Sequence, residues 1–170
     1  MCRKYAQILK NMPKNTEIER KFLVTSDAFL AQATTSYEIM QGYLCKEPGK
    51  TIRVRIRDDR AFLTIKSSVL REGLATFEWE KEIDVADARE LMQLCLPGVI
   101  YKTRYIVPCT NGKWKMENGQ RCWEVDVFHG HKEGLILAEL ELNSEHEPFD
   151  RPEWIGEEVT GIPQYYNANM

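Results

Sequence analysis

Residues 51–57 read TIRVRIR, a strict alternation of charged and apolar side chains. Successive side chains of a β-strand point to opposite faces of the sheet. The three arginines therefore share one face, and the three aliphatic residues share the other. The pattern predicts a strand that buries its apolar face and carries positive charge on the opposite one.

The same period of two recurs along the chain and predicts eight strands. Seven of the eight carry charged residues on one face and apolar residues on the other. The predicted strands cover residues 16–24, 38–44, 51–57, 61–67, 76–83, 101–107, 121–128 and 135–142.

Helical patterns lie between these strands. Residues 26–35 follow an N-cap signal at Ser26 and Asp27, and residues 86–95 place Leu91, Leu94 and Cys95 on one face. Glycine-containing connectors read as hairpin turns, which favour antiparallel pairing. The sequence thus predicts an α+β protein with an antiparallel sheet and flanking helices.

A single strand with a charged face is most simply explained by exposure of that face to water. Seven such strands together favour a closed barrel, because the few helices can cover only the apolar faces. Eight strands enclose an interior wide enough for one small ligand. We therefore expect an eight-stranded antiparallel closed β-barrel whose charged faces line a tunnel.

Composition limits the classes of partner. The 170 residues contain 43% hydrophobic and 29% charged residues, which is typical of one globular domain. With 23 basic and 26 acidic residues the net charge is -3, which argues against nucleic acid or an anionic membrane as a partner. We expect residues 1–15 to form an N-terminal extension and residues 16–170 to form the domain, as a monomer or a homodimer.

The cysteines are five in number and form no CxxC pair, and no segment is apolar over 18 residues. This pattern is typical of reduced thiols and predicts a cytoplasmic protein. The cysteines are Cys2, Cys45, Cys95, Cys109 and Cys122.

The predicted tunnel contains eight acidic and seven basic side chains. Each buried ion costs several kcal/mol, whereas whole domains are stable by only about 5–15 kcal/mol. Carboxylate pairs suit Mg²⁺ or Mn²⁺, and Arg and Lys suit phosphate oxygens. The pattern predicts a metal-polyphosphate site in which like charges repel without ligand, so Asp126→Asn and Arg55→Gln should not lower stability.

Nine short motifs in order resemble the CYTH domain family, also called the triphosphate tunnel metalloenzymes. The resemblance spans about residues 16–169 and is closest to short bacterial inorganic triphosphatases. The motifs are EIERK (17–21), QGYL (41–44), RVR (53–55), LTIK (63–66), EWE (78–80), KTRY (102–105), EVDVF (124–128), ELE (139–141) and WIGEEVT (154–160).

The resemblance implies a tunnel that holds divalent cations, Mg²⁺ or Mn²⁺, and that hydrolyses a triphosphate-containing small molecule. Its implied metal ligands are Glu17, Glu19, Glu124, Asp126, Glu139 and Glu141. Its implied phosphate-binding residues are Lys21, Arg53, Arg55, Lys66, Lys102 and Arg104. Tyr43, Lys102 and Glu80 are the candidate catalytic residues.

Among these three, Tyr43 stands where the family suggests a proton acceptor, which requires that nearby cations lower its pKa. A packing or phosphate-donating tyrosine is an equally good interpretation of that position. Glu80 is a candidate for orienting a water molecule. The chain departs from the pattern at Ile162 and Gln164, where related chains often have Asp and Arg.

Inorganic tripolyphosphate is the first candidate substrate. An adenylate cyclase or a thiamine triphosphatase with the same tunnel is an alternative. A non-catalytic polyphosphate-binding module is another, although the full acidic set favours an enzyme.

Overall fold

The structure is a computed structural model that describes residues 16–68, 75–109, 115–116 and 119–170. The predicted N-terminal extension, residues 1–15, lies outside the described residues. No helix within the described ranges is long and apolar enough to cross a bilayer.

The described residues form twelve strands, one α-helix and four short 3₁₀ helices. The strands are β1 (Thr16–Glu17), β2 (Glu19–Val24), β3 (Thr35–Glu47), β4 (Lys50–Arg57), β5 (Arg60–Ser67), β6 (Thr76–Ile83), β7 (Ile100–Pro108), β8 (Lys115–Met116), β9 (Gly119–Gln120), β10 (Cys122–Phe128), β11 (Ile136–Glu141) and β12 (Ile155–Glu158). The α-helix is α1 (Val85–Gln93), and the 3₁₀ helices are Asp27–Ala31, Gly130–Lys132, Pro163–Tyr165 and Asn167–Asn169.

Ten strands form one antiparallel sheet in the order β1-β6-β5-β4-β3-β7-β10-β11-β2-β12, and β8 and β9 form a separate hairpin. Antiparallel pairing is confirmed. The hydrogen-bonded order has two ends, so the structure does not show the closed ladder of eight strands that the sequence predicts.

The predicted first strand is divided in two at Ile18. β1 pairs with β6, whereas β2 pairs with β11 on one side and β12 on the other. The alternation of residues 16–24 continues through Ile18, and for that reason the sequence could not indicate the division. β12 is short and lacks a regular alternation, so it was not predicted.

The aromatic outer faces of the strands pack into a core. Phe22, Trp123 and Trp154 are almost fully buried and meet edge to face, with Phe22 and Trp123 ring centroids 5.5 Å apart. Phe29, from the 3₁₀ helix Asp27–Ala31, packs into the same cluster. This core keeps the apolar faces out of water and leaves the charged faces on the other side of the sheet.

The helix predicted at residues 86–95 is confirmed as α1, and Asp84 caps its N-terminus by accepting a hydrogen bond from the Ala86 amide at 2.7 Å. The helix predicted at residues 26–35 is wrong. Its first half is only a 3₁₀ helix, because from Thr34 the backbone instead bonds to β7, with the Thr34 amide donating to the Ile106 carbonyl at 2.9 Å.

α1 lies close against the outer face of β3. A Cβ atom at Gly42 would be 2.7 Å from Cys95 Sγ and 2.9 Å from Met92 Sδ. Glycine at this position therefore allows the helix to approach the strand.

Candidate active site

The registers of the sheet place the charged faces together on one side, called here the interior face. Lys21 is opposite Glu139, and Arg104 is opposite Asp126. On the other half of the sheet, Lys66 is opposite Glu78. Directly opposed residues of neighbouring strands lie close enough to interact, so acids and bases form pairs across strands.

The first group of charges surrounds Asp126, which is fully buried. Its two oxygens accept hydrogen bonds from Lys102 Nζ at 2.5 Å and from Arg104 Nε and Nη2 at 2.6 and 2.7 Å. Arg104 Nη2 also reaches Glu139 at 2.8 Å, and Lys21 Nζ lies 2.6 Å from Glu139. These five side chains form one continuous network, named here the Asp126 network.

The second group lies on β4, β5 and β6. Arg55 Nη2 donates to Glu80 at 2.9 Å, and the Arg53 Nη2 donates to Thr64 Oγ1 at 3.1 Å. Thr64 donates in turn to Glu80 at 2.7 Å.

Lys66 connects this second group to β1. Its ammonium group pairs with Glu17 and lies 2.8 Å from Glu78. Glu78 also lies 3.7 Å from Arg53. Strand β1 therefore contacts β5 and β6 through side chains on the interior face as well as through its backbone.

The pairing shifts several pKa values. Burial opposes the charged form of Lys21, but Glu139 and Glu19 outweigh it and raise the pKa of that ammonium. Burial also disfavours a charged Glu78, yet a hydrogen bond from Glu17 and the charges of Lys66 and Arg53 lower its pKa to about 2. Both groups are therefore ionised at neutral pH.

For two other cations, Lys102 and Arg55, the surroundings disfavour the charged form. Burial lowers the pKa of Lys102 to about 8; Asp126 opposes this shift, and Arg104 adds to it. Burial and the neighbouring Arg53 lower the pKa of Arg55 to about 10, against the effect of Glu80. Both would gain from an additional negative charge.

Among the described residues, no Lys or Arg side chain lies close enough to Glu141 to form an ion pair. It is opposite Glu19 across β2 and β11. Burial, followed by repulsion from Glu124, Glu78 and Glu19, raises its pKa. This end of the interior face therefore carries an excess of negative charge.

Tyr43 lies on the interior face of β3, opposite Arg53, and only 4% of its surface is exposed. Burial raises the pKa of its phenol despite the charges of Arg53, Lys66 and Lys21. The lowered pKa that a proton-acceptor role would require is not found, because desolvation outweighs the cations. The phenol stays protonated at neutral pH and can donate a hydrogen bond.

The interior face encloses a cavity of about 400 Å³. Its lining comes from β1, β2, β4, β5, β6, β7, β10 and β11 and includes both carboxylates and guanidinium groups. A second cavity of about 630 Å³, the mouth cavity, adjoins it and shares Glu17, Glu19, Arg53, Lys66 and Asn167. Residues 163–169 contribute one wall of the mouth cavity through Pro163, Tyr166, Asn167, Ala168 and Asn169.

All predicted site residues lie on the interior face. Glu17, Glu19, Arg53, Arg55, Lys66, Arg104, Glu124, Glu139 and Glu141 line the interior cavity, and Lys21 and Tyr43 line the mouth cavity. Lys102 and Asp126 lie behind the cavity wall in the Asp126 network, and Glu80 is held by Arg55. Among the described residues, no three His, Cys, Asp or Glu side chains are already arranged as a metal site.

The sequence interpretation gave no role to Glu78, Thr64 or Asn167. Glu78 shares the alternation that identified Glu80, so the signal for it was present. Thr64 is uncharged and Asn167 belongs to a 3₁₀ helix, so neither could be found from charge alternation. The Oδ1 atom of Asn167 is buried without a hydrogen-bond partner.

Comparison with known sequences identifies a CYTH domain over residues 15–167. The chain therefore belongs to the CYTH domain family, and the resemblance seen in the sequence is confirmed.

Two curated relatives are named inorganic triphosphatase. One, from Acetivibrio thermocellus, is 41% identical over 155 residues, which cover 91% of this chain and 92% of the relative. The other, from Nitrosomonas europaea, is 38% identical over 159 residues, which cover 91% of this chain and 96% of the relative.

Solved structures share the fold. A crystal structure of an inorganic triphosphatase matches with a TM-score of 0.59 and 33% identity, over 90% of this chain and 92% of that one. A conserved hypothetical protein from Pyrococcus furiosus matches with a TM-score of 0.55 and 22% identity, over 76% of this chain and 80% of that one.

Proposed function

We propose that this protein is a metal-dependent hydrolase of triphosphates and that its substrate is inorganic tripolyphosphate. The observation that carries the proposal is the interior cavity of about 400 Å³, lined by carboxylates and guanidinium groups on eight strands. Two relatives that cover more than 90% of this chain are named for that activity. A triphosphate with divalent cations has the mixed charge that such a cavity requires.

The proposal includes a sheet that closes around the substrate. β1 and β2 are separated only by Ile18, and they pair with β6 and β11 respectively. If residues 16–24 are counted as one strand, that strand makes eight together with β3, β4, β5, β6, β7, β10 and β11, and the sheet returns to its first member. Closure of this kind would exclude bulk water and strengthen the electrostatic interactions inside.

The residues fit a hard divalent cation, either Mg²⁺ or Mn²⁺. Glu19 and Glu141 are opposite each other, and mutual repulsion contributes to the raised pKa of Glu141. Carboxylate oxygens are the preferred ligands of these ions. Glu19, Glu141 and Glu124 would hold the first cation, and a bound ion of this type polarises phosphoryl oxygens and water.

Glu124 itself pairs with Arg104, and the other three acidic residues of the predicted metal set are also committed to ion pairs in the ligand-free protein. Glu17 pairs with Lys66, Glu139 pairs with Lys21, and Asp126 bonds to Lys102 and Arg104. They become available to metal only if phosphate oxygens replace them as partners of the cations.

Five cations that line the two cavities would hold the substrate, with Lys102 adding positive charge from behind the cavity wall: Lys21, Arg53, Arg55, Lys66 and Arg104. In the ligand-free protein a carboxylate compensates each of them. Exchange of carboxylates for phosphate oxygens keeps these buried charges paired, and the freed carboxylates then face metal. The cations stabilise negative charge that develops on the phosphoryl oxygens.

The three candidate catalytic residues, Lys102, Tyr43 and Glu80, are assigned different roles. With a pKa of about 8, Lys102 exchanges its proton near physiological pH. The protonated Tyr43 donates a hydrogen bond to a phosphate oxygen, which is the second interpretation of this position given by the sequence. Glu80 accepts hydrogen bonds from Arg55 and Thr64, and its proposed role is to orient a water molecule.

A cytoplasmic location and a monomeric or homodimeric state remain predictions, as does the absence of nucleic acid and membrane partners. They rest on the cysteine pattern and the nearly balanced charge.

The test is phosphate release from tripolyphosphate, ATP and thiamine triphosphate, measured with malachite green in Mg²⁺, in Mn²⁺ and in EDTA. We expect release from tripolyphosphate with metal and none in EDTA. No release from any substrate refutes the proposal. Tight calorimetric binding without turnover would instead identify a binding module, and formation of cyclic AMP from ATP would identify a cyclase.

A further inference from the structure

Gln41 is a buried amide without a hydrogen-bond partner among the described residues. Its exposed surface is 0%, and both Oε1 and Nε2 lack a partner. Buried polar groups are nearly always hydrogen-bonded, because leaving one unpaired costs folding free energy. Such a group in a native protein calls for an explanation in function.

The amide lies on the interior face of β3. Gln41 is opposite Arg55 of β4 and opposite Ile100 of β7. It does not line either cavity, so it does not contact a ligand that occupies them. Any effect on the substrate must pass through a neighbour, and Arg55 is the neighbour that lines the interior cavity.

Arg55 carries a matching unpaired donor. Its Nη2 atom donates to both oxygens of Glu80, at 3.1 and 2.9 Å, whereas its Nε atom is buried without a partner. Nε of arginine and Oε1 of glutamine lie the same number of bonds beyond Cβ. On directly opposed residues that face the same side, the donor and the acceptor can therefore reach the same height above the sheet when the side chains turn toward each other.

We propose that Gln41 is a positioning residue for Arg55. When the guanidinium group turns from Glu80 to a phosphate oxygen, the Gln41 Oε1 accepts the Arg55 Nε–H and fixes the orientation of the group. The inference rests on the proposed function, because it requires a phosphate ligand to draw Arg55 from Glu80. The unpaired amide of the ligand-free protein is then an acceptor reserved for the bound state.

The first test replaces the amide with an apolar group of similar length, Gln41→Met. Without ligand, the melting temperature should stay the same or rise, because an unpaired buried amide is removed. The KM for tripolyphosphate should rise about tenfold, as expected for loss of a hydrogen bond to a charged group, while kcat changes little. Gln41→Leu gives the same comparison if methionine does not pack.

The second test identifies the partner. Arg55→Lys removes the Nε–H but keeps a positive charge. In that background Gln41→Met should have no further effect on KM, whereas in an Arg53→Lys background it should keep its full effect. Double-mutant cycles detect this coupling, since neighbours that act together are not additive.

The outcomes separate the two proposals. If Gln41→Met has a lower melting temperature and an unchanged KM, the amide is structural. This result overturns the role of Gln41 but not the proposed function. An equal rise of KM in the Arg55→Lys background also overturns it, because the amide then acts through another group. If the wild-type protein hydrolyses no triphosphate, both the proposed function and this inference fail.

Discussion

Replacement of Asp126 by asparagine should destabilise the ligand-free protein. From the sequence, repulsion between like charges predicts that Asp126→Asn leaves the ligand-free protein equally or more stable. The structure instead shows Asp126 fully buried, with three hydrogen bonds of 2.5–2.7 Å from Lys102 and Arg104. The substitution removes the charge that compensates two buried cations, so the expected sign is reversed.

The expected loss follows from the cost of breaking a buried ion pair, about 3–5 kcal/mol. Asparagine keeps an acceptor oxygen but no charge, and both Lys102 and Arg104 remain buried. For a domain of this size each kcal/mol lowers the melting temperature by about 2–4 °C. We expect a decrease of roughly 6–20 °C in metal-free buffer, measured by calorimetry or by near-UV circular dichroism.

Glu141→Gln is the matched control. It also removes one carboxylate from the interior face, but this carboxylate is opposite Glu19, and other acidic residues raise its pKa. Its ligand-free melting temperature should stay the same or rise. If Asp126→Asn melts like the wild type, or if the control is destabilised equally, the assignment of Asp126 to a stabilising ion-pair network is wrong.

Three further predictions concern pH, packing and metal. Phosphate release should fall as pH rises through an apparent pKa near 8, because the free amine of Lys102 no longer contributes positive charge beside the phosphates; Lys102→Arg, which stays charged, should lack this fall. Gly42→Ala should cost about 1–3 kcal/mol in urea unfolding, since its Cβ would overlap Met92 of α1 and Cys95, which follows the helix, and an unchanged midpoint would contradict this close approach. EDTA should stop phosphate release and added Mg²⁺ or Mn²⁺ should restore it, whereas full activity in EDTA would exclude the proposed metal.

The sequence could predict most of the fold because alternation is a local signal. The strands at 51–57, 61–67 and 76–83 appear almost at their predicted bounds, as β4, β5 and β6. The helix predicted at 26–35 does not form because Thr34 and Thr35 instead hydrogen-bond to β7, which lies more than 70 residues away in the sequence. Tertiary pairing of this kind cannot be read from a local pattern.

The candidate site could be predicted in composition but not in pairing. Alternation identified which side chains face the interior, and it placed Glu19 and Lys21 correctly on one face. It could not show that Lys21 pairs with Glu139 or that burial raises the pKa of Tyr43, because both depend on register and depth. Gln41 belongs to the QGYL motif, yet only the structure shows that its amide is unpaired among the described residues.

In the proposed function, the carboxylates of the interior face hold the metal that triphosphate hydrolysis needs. The most direct measurement compares phosphate release from tripolyphosphate in Mg²⁺ by the wild type and by Glu19→Gln, with the ligand-free melting temperature of each. Within the part of the chain that the structure describes, Glu19 makes a single long contact with a cation, 3.9 Å to Lys21, so the variant should fold and melt like the wild type. We expect the wild type to release phosphate and the folded Glu19→Gln variant to lose most of its turnover. Equal rates for the two proteins, or no release by the wild type, would contradict it.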